Sequence, residues 1–149
     1  MIKNILLILF YLPFSLIAQE KEIKFSNFFD DLTFEEREII VKKGTESAWS
    51  GNYLSNTDKG IYVCKACNNP LFNSDSKFKS NCGWPSFDDE IEGAIIRKKD
   101  FSFGINRIEI CCSNCSGHIG HVFEGEGFTD KDVRNCVNSL SIFFIEKKL

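Results

Sequence analysis

An excess of positive charge is missing from this chain, as are repeats, low-complexity tracts and any abundance of histidine. Lys and Arg number 18 against 21 Asp and Glu, for a net charge of −3. The cations are scattered and form no stripe, so nothing electrostatic points to a nucleic-acid partner. No segment repeats apart from two Cys-x-x-Cys pairs. The two histidines both fall within His118-Ile119-Gly120-His121. The apolar run at 5–17 is shorter than the roughly 20 residues a membrane-spanning helix needs. No Cys follows that run, so a lipid-modified cysteine is not indicated.

What is present fits one domain. The chain has 149 residues, 43% of them apolar, and 15 phenylalanines, enough to build a real core. Lys3, the apolar run and Ala18 before Gln19-Glu20-Lys21 resemble a secretory signal peptide over residues 1–18. Export to the periplasm or beyond is the expectation, with an anchor formed by residues 5–17 as the alternative. Residues 19–24 then read as a linker, and 25–147 as the domain, expected to be a monomer.

Thr33-Phe34-Glu35-Glu36 is a capping-box pattern and predicts a short helix through Val41, ended by Gly44. Ile61–Val63, Ala94–Arg97, Ile105–Cys112 and Leu140–Ile145 read as strands separated by Asn, Gly, Asp and Ser. The fold class expected is mainly β and antiparallel, with a short N-terminal helix.

Seven cysteines in an exported chain would ordinarily suggest disulfides, and the odd count leaves one thiol over. The spacing suggests a different division. Cys64-Lys65-Ala66-Cys67 and Cys112-Ser113-Asn114-Cys115 are two knuckles whose four thiolates could enclose one structural Zn²⁺. Two disulfides or two redox pairs are the competing reading. The 44 residues between the pairs imply a domain looped out between the knuckles. In the strand ending at Cys112, that cysteine alternates with Ile108 and Ile110, which favours it as a ligand over Cys111. Cys111 then becomes a half-exposed spare thiol.

Two cysteines lie outside the knuckles. Cys136 follows Arg134, whose charge could lower its pKa and raise its thiolate fraction. Cys82 opens Cys82-Gly83-Trp84-Pro85-Ser86-Phe87, where a Gly and a Pro could turn Trp84 outward. With four cysteines saturating a metal shell, His118 and His121 are free for proton transfer.

Taken with Gly44-Thr45-Glu46, Pro70-Leu71-Phe72, His118-Ile119-Gly120-His121-Val122-Phe123 and Arg134-Asn135-Cys136-Val137-Asn138-Ser139, this set resembles the B-type methionine sulfoxide reductases, over about residues 25–147. The resemblance implies two antiparallel sheets, with the zinc site away from catalysis. It makes Cys136 the nucleophile and Cys82 the resolving cysteine. Trp84, Phe87, His118, His121, Arg134 and Asn138 would surround the substrate, which is oxidised methionine in peptides or proteins. A thioredoxin-like dithiol would be the reductant. The alternative from another class is a non-catalytic zinc-binding β module for protein interaction. Asn135 stands where that family usually carries an aromatic residue, and Asn81 where a Gly often precedes the resolving Cys. The first is expected to alter the pocket edge and the second the mobility of the Cys82 loop.

Overall fold

The computed structural model describes residues 27–148. The signal-peptide and linker segments expected over 1–24 lie outside them. Thr33 caps helix α1 (Phe34–Ile40): its hydroxyl accepts from the Glu36 amide at 3.2 Å, and the Glu36 carboxylate accepts from the Thr33 amide at 3.0 Å. The helix ends one step earlier than Gly44 suggested. Lys43 takes the left-handed conformation, with φ 59°, while the Gly44 amide returns to the Glu38 carbonyl at 3.0 Å.

Nine strands follow: β1 (Gly60–Cys64), β2 (Pro70–Asn73), β3 (Lys77–Phe78), β4 (Ser86–Phe87), β5 (Ile95–Asp100), β6 (Arg107–Cys112), β7 (His118–Glu124), β8 (Val133–Val137) and β9 (Ile142–Glu146). They form a three-stranded sheet in the order β2-β1-β9 and a six-stranded sheet in the order β3-β4-β8-β7-β6-β5. Every pairing is antiparallel. The two sheets close on one core. Tyr62, Leu71, Phe72 and Ile142 come from the small sheet, and Phe87, Ile110, Ile119, Val122 and Val137 from the large one. Phe87 stacks on Phe72 at 4.5 Å between ring centroids and meets Tyr62 edge-on at 5.0 Å.

Two corrections follow from this packing. Phe87 is fully buried, so its ring serves the core and does not line a substrate surface. Asn135 also turns away from the expected pocket edge. It is fully buried, with its Nδ2 donating to the Phe87 carbonyl at 3.2 Å.

A third correction concerns β6. Cys111 is fully buried rather than half exposed. Alternation predicts an outward face for Arg107, Glu109 and Cys111, but a register irregularity lies between Ile110 and Cys111. The far face is also covered, by Lys43 reaching Glu109 and by His118 opposite Cys111. Burial pushes the Cys111 thiol up to about 11.

Candidate active site and metal centre

The two knuckles have the same backbone. The Asn68 amide donates to the Cys64 carbonyl at 2.9 Å, and the Ser116 amide donates to the Cys112 carbonyl at the same distance. Asn68 and Ser116 each sit four residues after the first cysteine, with φ of 58° and 62°. That left-handed residue turns the chain so that both sulfurs of each pair aim inward. The four Sγ atoms of Cys64, Cys67, Cys112 and Cys115 all lie within 4.8 Å of one another. Cys64 and Cys115 approach to 3.6 Å, Cys67 and Cys112 to 3.5 Å. A tetrahedral ion with metal–sulfur bonds of about 2.3 Å requires sulfurs about 3.8 Å apart, so the donor set fits a metal. Cys64 ends β1 of the small sheet and Cys112 ends β6 of the large one, so the cluster joins the two sheets. The ligand register read from alternation holds, with Cys112 in the cluster and Cys111 outside it.

The second constellation lies on the outer face of the large sheet. Ser86, Cys136, His121, Glu109 and Lys98 stand directly opposite one another across β4, β8, β7, β6 and β5. This row is built by strand register, and Gly120 permits it. A Cβ at Gly120 would fall 1.9 Å from the Cys136 carbonyl, so β7 and β8 could not pair there with any larger residue.

The Cys82 loop delivers a second sulfur to the row. Cys82 Sγ lies 3.9 Å from Cys136 Sγ and 3.0 Å from Ser80 Oγ, with Ser86 Oγ at 3.5 Å. The loop turns through Asn81 at φ 58° and Gly83 at φ 96°. Asn tolerates the left-handed region better than most residues, so Asn81 suits a position where Gly would also fit. Gly83 is needed for closeness too, since a Cβ there would sit 2.8 Å from the Ala48 Cβ. Trp84 is half buried, its indole N–H donating to the Glu46 carbonyl at 3.1 Å.

The electrostatics of the pair differ from the sequence expectation. The Cys136 thiol is pushed up, first by its hydrogen bond to Cys82 and then by burial. Arg134 pulls the other way and is outweighed. Arg134 is itself engaged: its guanidinium grips Glu126 at 2.6 and 2.9 Å and lies 4.4 Å over the Phe123 ring. Cys82 is held down at about 4, by the hydrogen bond from Cys136 and then by the Ser80 and Ser86 hydroxyls, against the opposing effect of burial. Within the pair these hydrogen bonds favour the charge on Cys82 over Cys136.

Both histidines are anchored to carboxylates. His121 Nε2 is 2.8 Å from Asp100 Oδ2, which also accepts from Arg107 at 2.8 Å. Asp100 is held well below the usual carboxylate range by hydrogen bonds from Ser102 and then from His121. His118 is buried, with Nδ1 2.9 Å from Glu109 Oε1, and Lys43 Nζ is 2.9 Å from the other Glu109 oxygen. Burial pushes the His118 pKa down despite Glu109, which favours the neutral imidazole. The two imidazoles are 5.4 Å apart, edge to face.

Asn138 is buried beneath the row. Its Oδ1 accepts from the Glu46 amide at 3.1 Å, and its Nδ2 donates to the Ile119 carbonyl at 3.2 Å. It positions the site rather than lining it. Glu46 completes the support by accepting from the Ser139 and Leu140 amides at 2.6 and 3.1 Å.

The structure thus brings Cys82, Cys136, His118, His121, Arg134 and Trp84 to one region, and it leaves Phe87 in the core. Sequence reading missed Asp100, Glu109, Lys43, Ser80 and Ser86. Only Ser86 lay within a motif, and nothing in the local pattern marked the others. Such an arrangement can supply a sulfur nucleophile, a second thiol in reach of it, and an imidazole held by a carboxylate.

Comparison with known proteins gives one family. The SelR domain model matches residues 32–146. A "Peptide methionine sulfoxide reductase MsrB" of Methanosarcina barkeri is 48% identical over 114 residues, which is 76% of this chain and 80% of that protein. Proteins of the same name from Leptospira interrogans and Teredinibacter turnerae are 47% and 48% identical, over 76% and 78% of this chain and 87% of each of theirs.

Proposed function

Because the chain belongs to the SelR-domain family of B-type peptide methionine sulfoxide reductases, we propose that it reduces methionine-R-sulfoxide in peptides, with Cys136 as nucleophile and Cys82 as resolving thiol. One observation carries the residue assignment. The Cys82 and Cys136 sulfurs lie 3.9 Å apart, and His121 faces Cys136 directly across β7 and β8.

The chemistry follows from that arrangement. A sulfoxide offers an electrophilic sulfur and an oxygen that leaves poorly unless protonated. The two sulfurs share one proton, and the reacting form is the one in which that proton sits on Cys82 and the charge on Cys136, the form that the Arg134 charge favours. As the new sulfur–sulfur contact forms, His121 protonates the sulfoxide oxygen. Asp100 fixes the ring by accepting from Nε2, leaving Nδ1–H free to donate. The S–O oxygen passes to Cys136, methionine leaves, and Cys136 becomes a sulfenic acid. Cys82, now a thiol, attacks that sulfur. Its proton and the hydroxyl depart as water, and a Cys82–Cys136 disulfide remains. An external dithiol of thioredoxin-like chemistry reduces it by exchange.

Trp84, pinned by the Glu46 carbonyl, is the platform for the substrate methyl group. His118 keeps the neighbouring imidazole oriented. Cys64, Cys67, Cys112 and Cys115 would hold a Zn²⁺ whose contribution is folding free energy. Export remains part of this reading and rests on the pattern of residues 1–18. Among the described residues, no helix is long and apolar enough to cross a membrane.

The test is epimer choice. With dithiothreitol, racemic N-acetyl methionine sulfoxide is consumed to about half and the reaction stops, leaving the S form, as one enzyme serves each epimer. Consumption of both epimers at similar rates would remove the assignment.

A further inference from the structure

The upper end of the large sheet exposes more apolar surface than its neighbourhood explains. Two residues along the strands from the Cys136–His121 row, the next row on that face contains Arg134 and Phe123, continued by Arg107 and Asp100. At about 3.3 Å of rise per residue, it lies about 7 Å from the catalytic row. Beyond it are two hairpin tips. The β5–β6 tip carries Phe101, Phe103 and Ile105, which are 66%, 93% and 53% exposed; the β7–β8 tip carries Phe128, 49% exposed. Four large apolar side chains at one rim are costly to leave in water, and such rims commonly mark a binding surface.

Their presentation is built in. Phe103 sits at φ 57°, a left-handed conformation that is uncommon for a bulky residue and that keeps the tip turned outward. The tip is also tied to the site. Asp100, which precedes Phe101, accepts from the Ser102 amide at 2.9 Å and from His121. Phe128 meets Phe78 at 5.9 Å, which extends the apolar rim towards β3. The two tips differ in charge: residues 124–132 contain Glu124, Glu126, Asp130 and Asp132 against Lys131, while exposed Lys98 and Lys99 precede the other tip. Glu126 is committed to Arg134, while Glu124 and Asp130 are exposed or nearly so.

We propose that these two hairpin tips, set beside the Cys136–His121 row, form a rim that receives the residues flanking the sulfoxide in a polypeptide and selects apolar flanks over polar ones. The inference rests on the sulfoxide reductase reading above and specifies which peptides that site takes. Continuity with the catalytic row identifies the occupant as the substrate chain itself.

The experiment uses the metal-bound protein and acetylated pentapeptides with a central methionine-R-sulfoxide flanked by Leu, Ser or Asp. The Leu peptide should exceed the Ser and Asp peptides by about tenfold in kcat/KM, equivalent to about 1.4 kcal/mol. The double variant Phe103→Asn with Ile105→Thr removes the apolar tip with an Asn that accepts the left-handed backbone. It should bring the Leu and Ser peptides within about twofold while N-acetyl methionine-R-sulfoxide turns over at the native rate. Equal native rates on the Leu and Ser peptides, or a preference that survives the double variant, would overturn the rim. Phe103-dependent sedimentation with anionic vesicles would overturn the peptide as its occupant. Failure of the native protein on N-acetyl methionine-R-sulfoxide would bring down the parent reading and the rim together. If the double variant loses all substrates alike, Phe128→Ser on the other tip decides by the same ratio.

Discussion

At the scale of single residues, the notable feature is where the site stores its charge. A nucleophile is expected to be the thiolate, and Arg134 two residues away invites that reading. In the folded chain Arg134 is already gripped by Glu126, and the Ser80 and Ser86 hydroxyls sit around Cys82. These contacts favour the resting charge on Cys82, the proposed resolving cysteine. The sign follows from the depressed pKa of Cys82: the thiolate persists from alkaline pH down to about 4 and is lost only below it. Iodoacetamide should therefore label the reduced protein first at Cys82, at a rate nearly flat between pH 8 and pH 6. A free cysteine slows about tenfold per unit below its pKa of about 8.5. Peptide mapping by mass spectrometry reads both the position and the profile. Preferential labelling of Cys136, or a Cys82 profile that falls tenfold per unit, would reverse the assignment.

At the scale of elements, the support of Trp84 is a chain of contacts rather than a motif. Asn138 holds the Glu46 amide, the Glu46 carbonyl holds the indole, and the Glu46 carboxylate holds the start of the 139–141 turn. Glu46→Ala should cost about 1–3 kcal/mol of stability by leaving the Ser139 and Leu140 amides unpaired. It should also raise KM for the sulfoxide by more than it lowers kcat, because the platform loosens while the sulfurs stay in place. Denaturant melts and steady-state kinetics check the two parts. Much at this scale was legible beforehand. The capping box at Thr33, the strand into Cys64 and the strand ending at Cys112 all form as their residues suggest. Strands β7 and β8 were not read as strands. His118, Gly120, His121, Arg134, Asn135 and Cys136 interrupt the apolar alternation on which such reading depends, because the face that would be polar is the buried catalytic one. Asp100, Glu109 and Lys43 were invisible for a related reason: each acts through a contact distant in sequence, Asp100 with His121, Glu109 with His118, and Lys43, in the loop after α1, with Glu109.

At the scale of the whole molecule, the four-cysteine cluster joins two sheets that also share one core. Cys64→Ser, Cys67→Ser, Cys112→Ser or Cys115→Ser should each release the zinc and unfold the domain, since a structural ion binds with folding free energy. Cys111→Ser should retain one zinc per chain, because its sulfur lies outside the cluster. Metal analysis with circular dichroism separates the cases. Loss of zinc in Cys111→Ser with retention in Cys112→Ser would contradict the geometry. The resemblance read from the motifs anticipated both the cluster and the paired lone cysteines. It did not anticipate that Phe87, Asn135 and Asn138 would be spent on packing and support.

The cross-sheet placement of the four thiols also sets up a race during biogenesis. Both close sulfur contacts, Cys64 with Cys115 and Cys67 with Cys112, run between the knuckles and not within them. A chain that meets an oxidant before it meets metal can close covalent bonds along those same lines, and such a bond would staple the sheets while destroying the ligand set. A bound metal would act as a protecting group for these four sulfurs, leaving the Cys82–Cys136 pair open to oxidation.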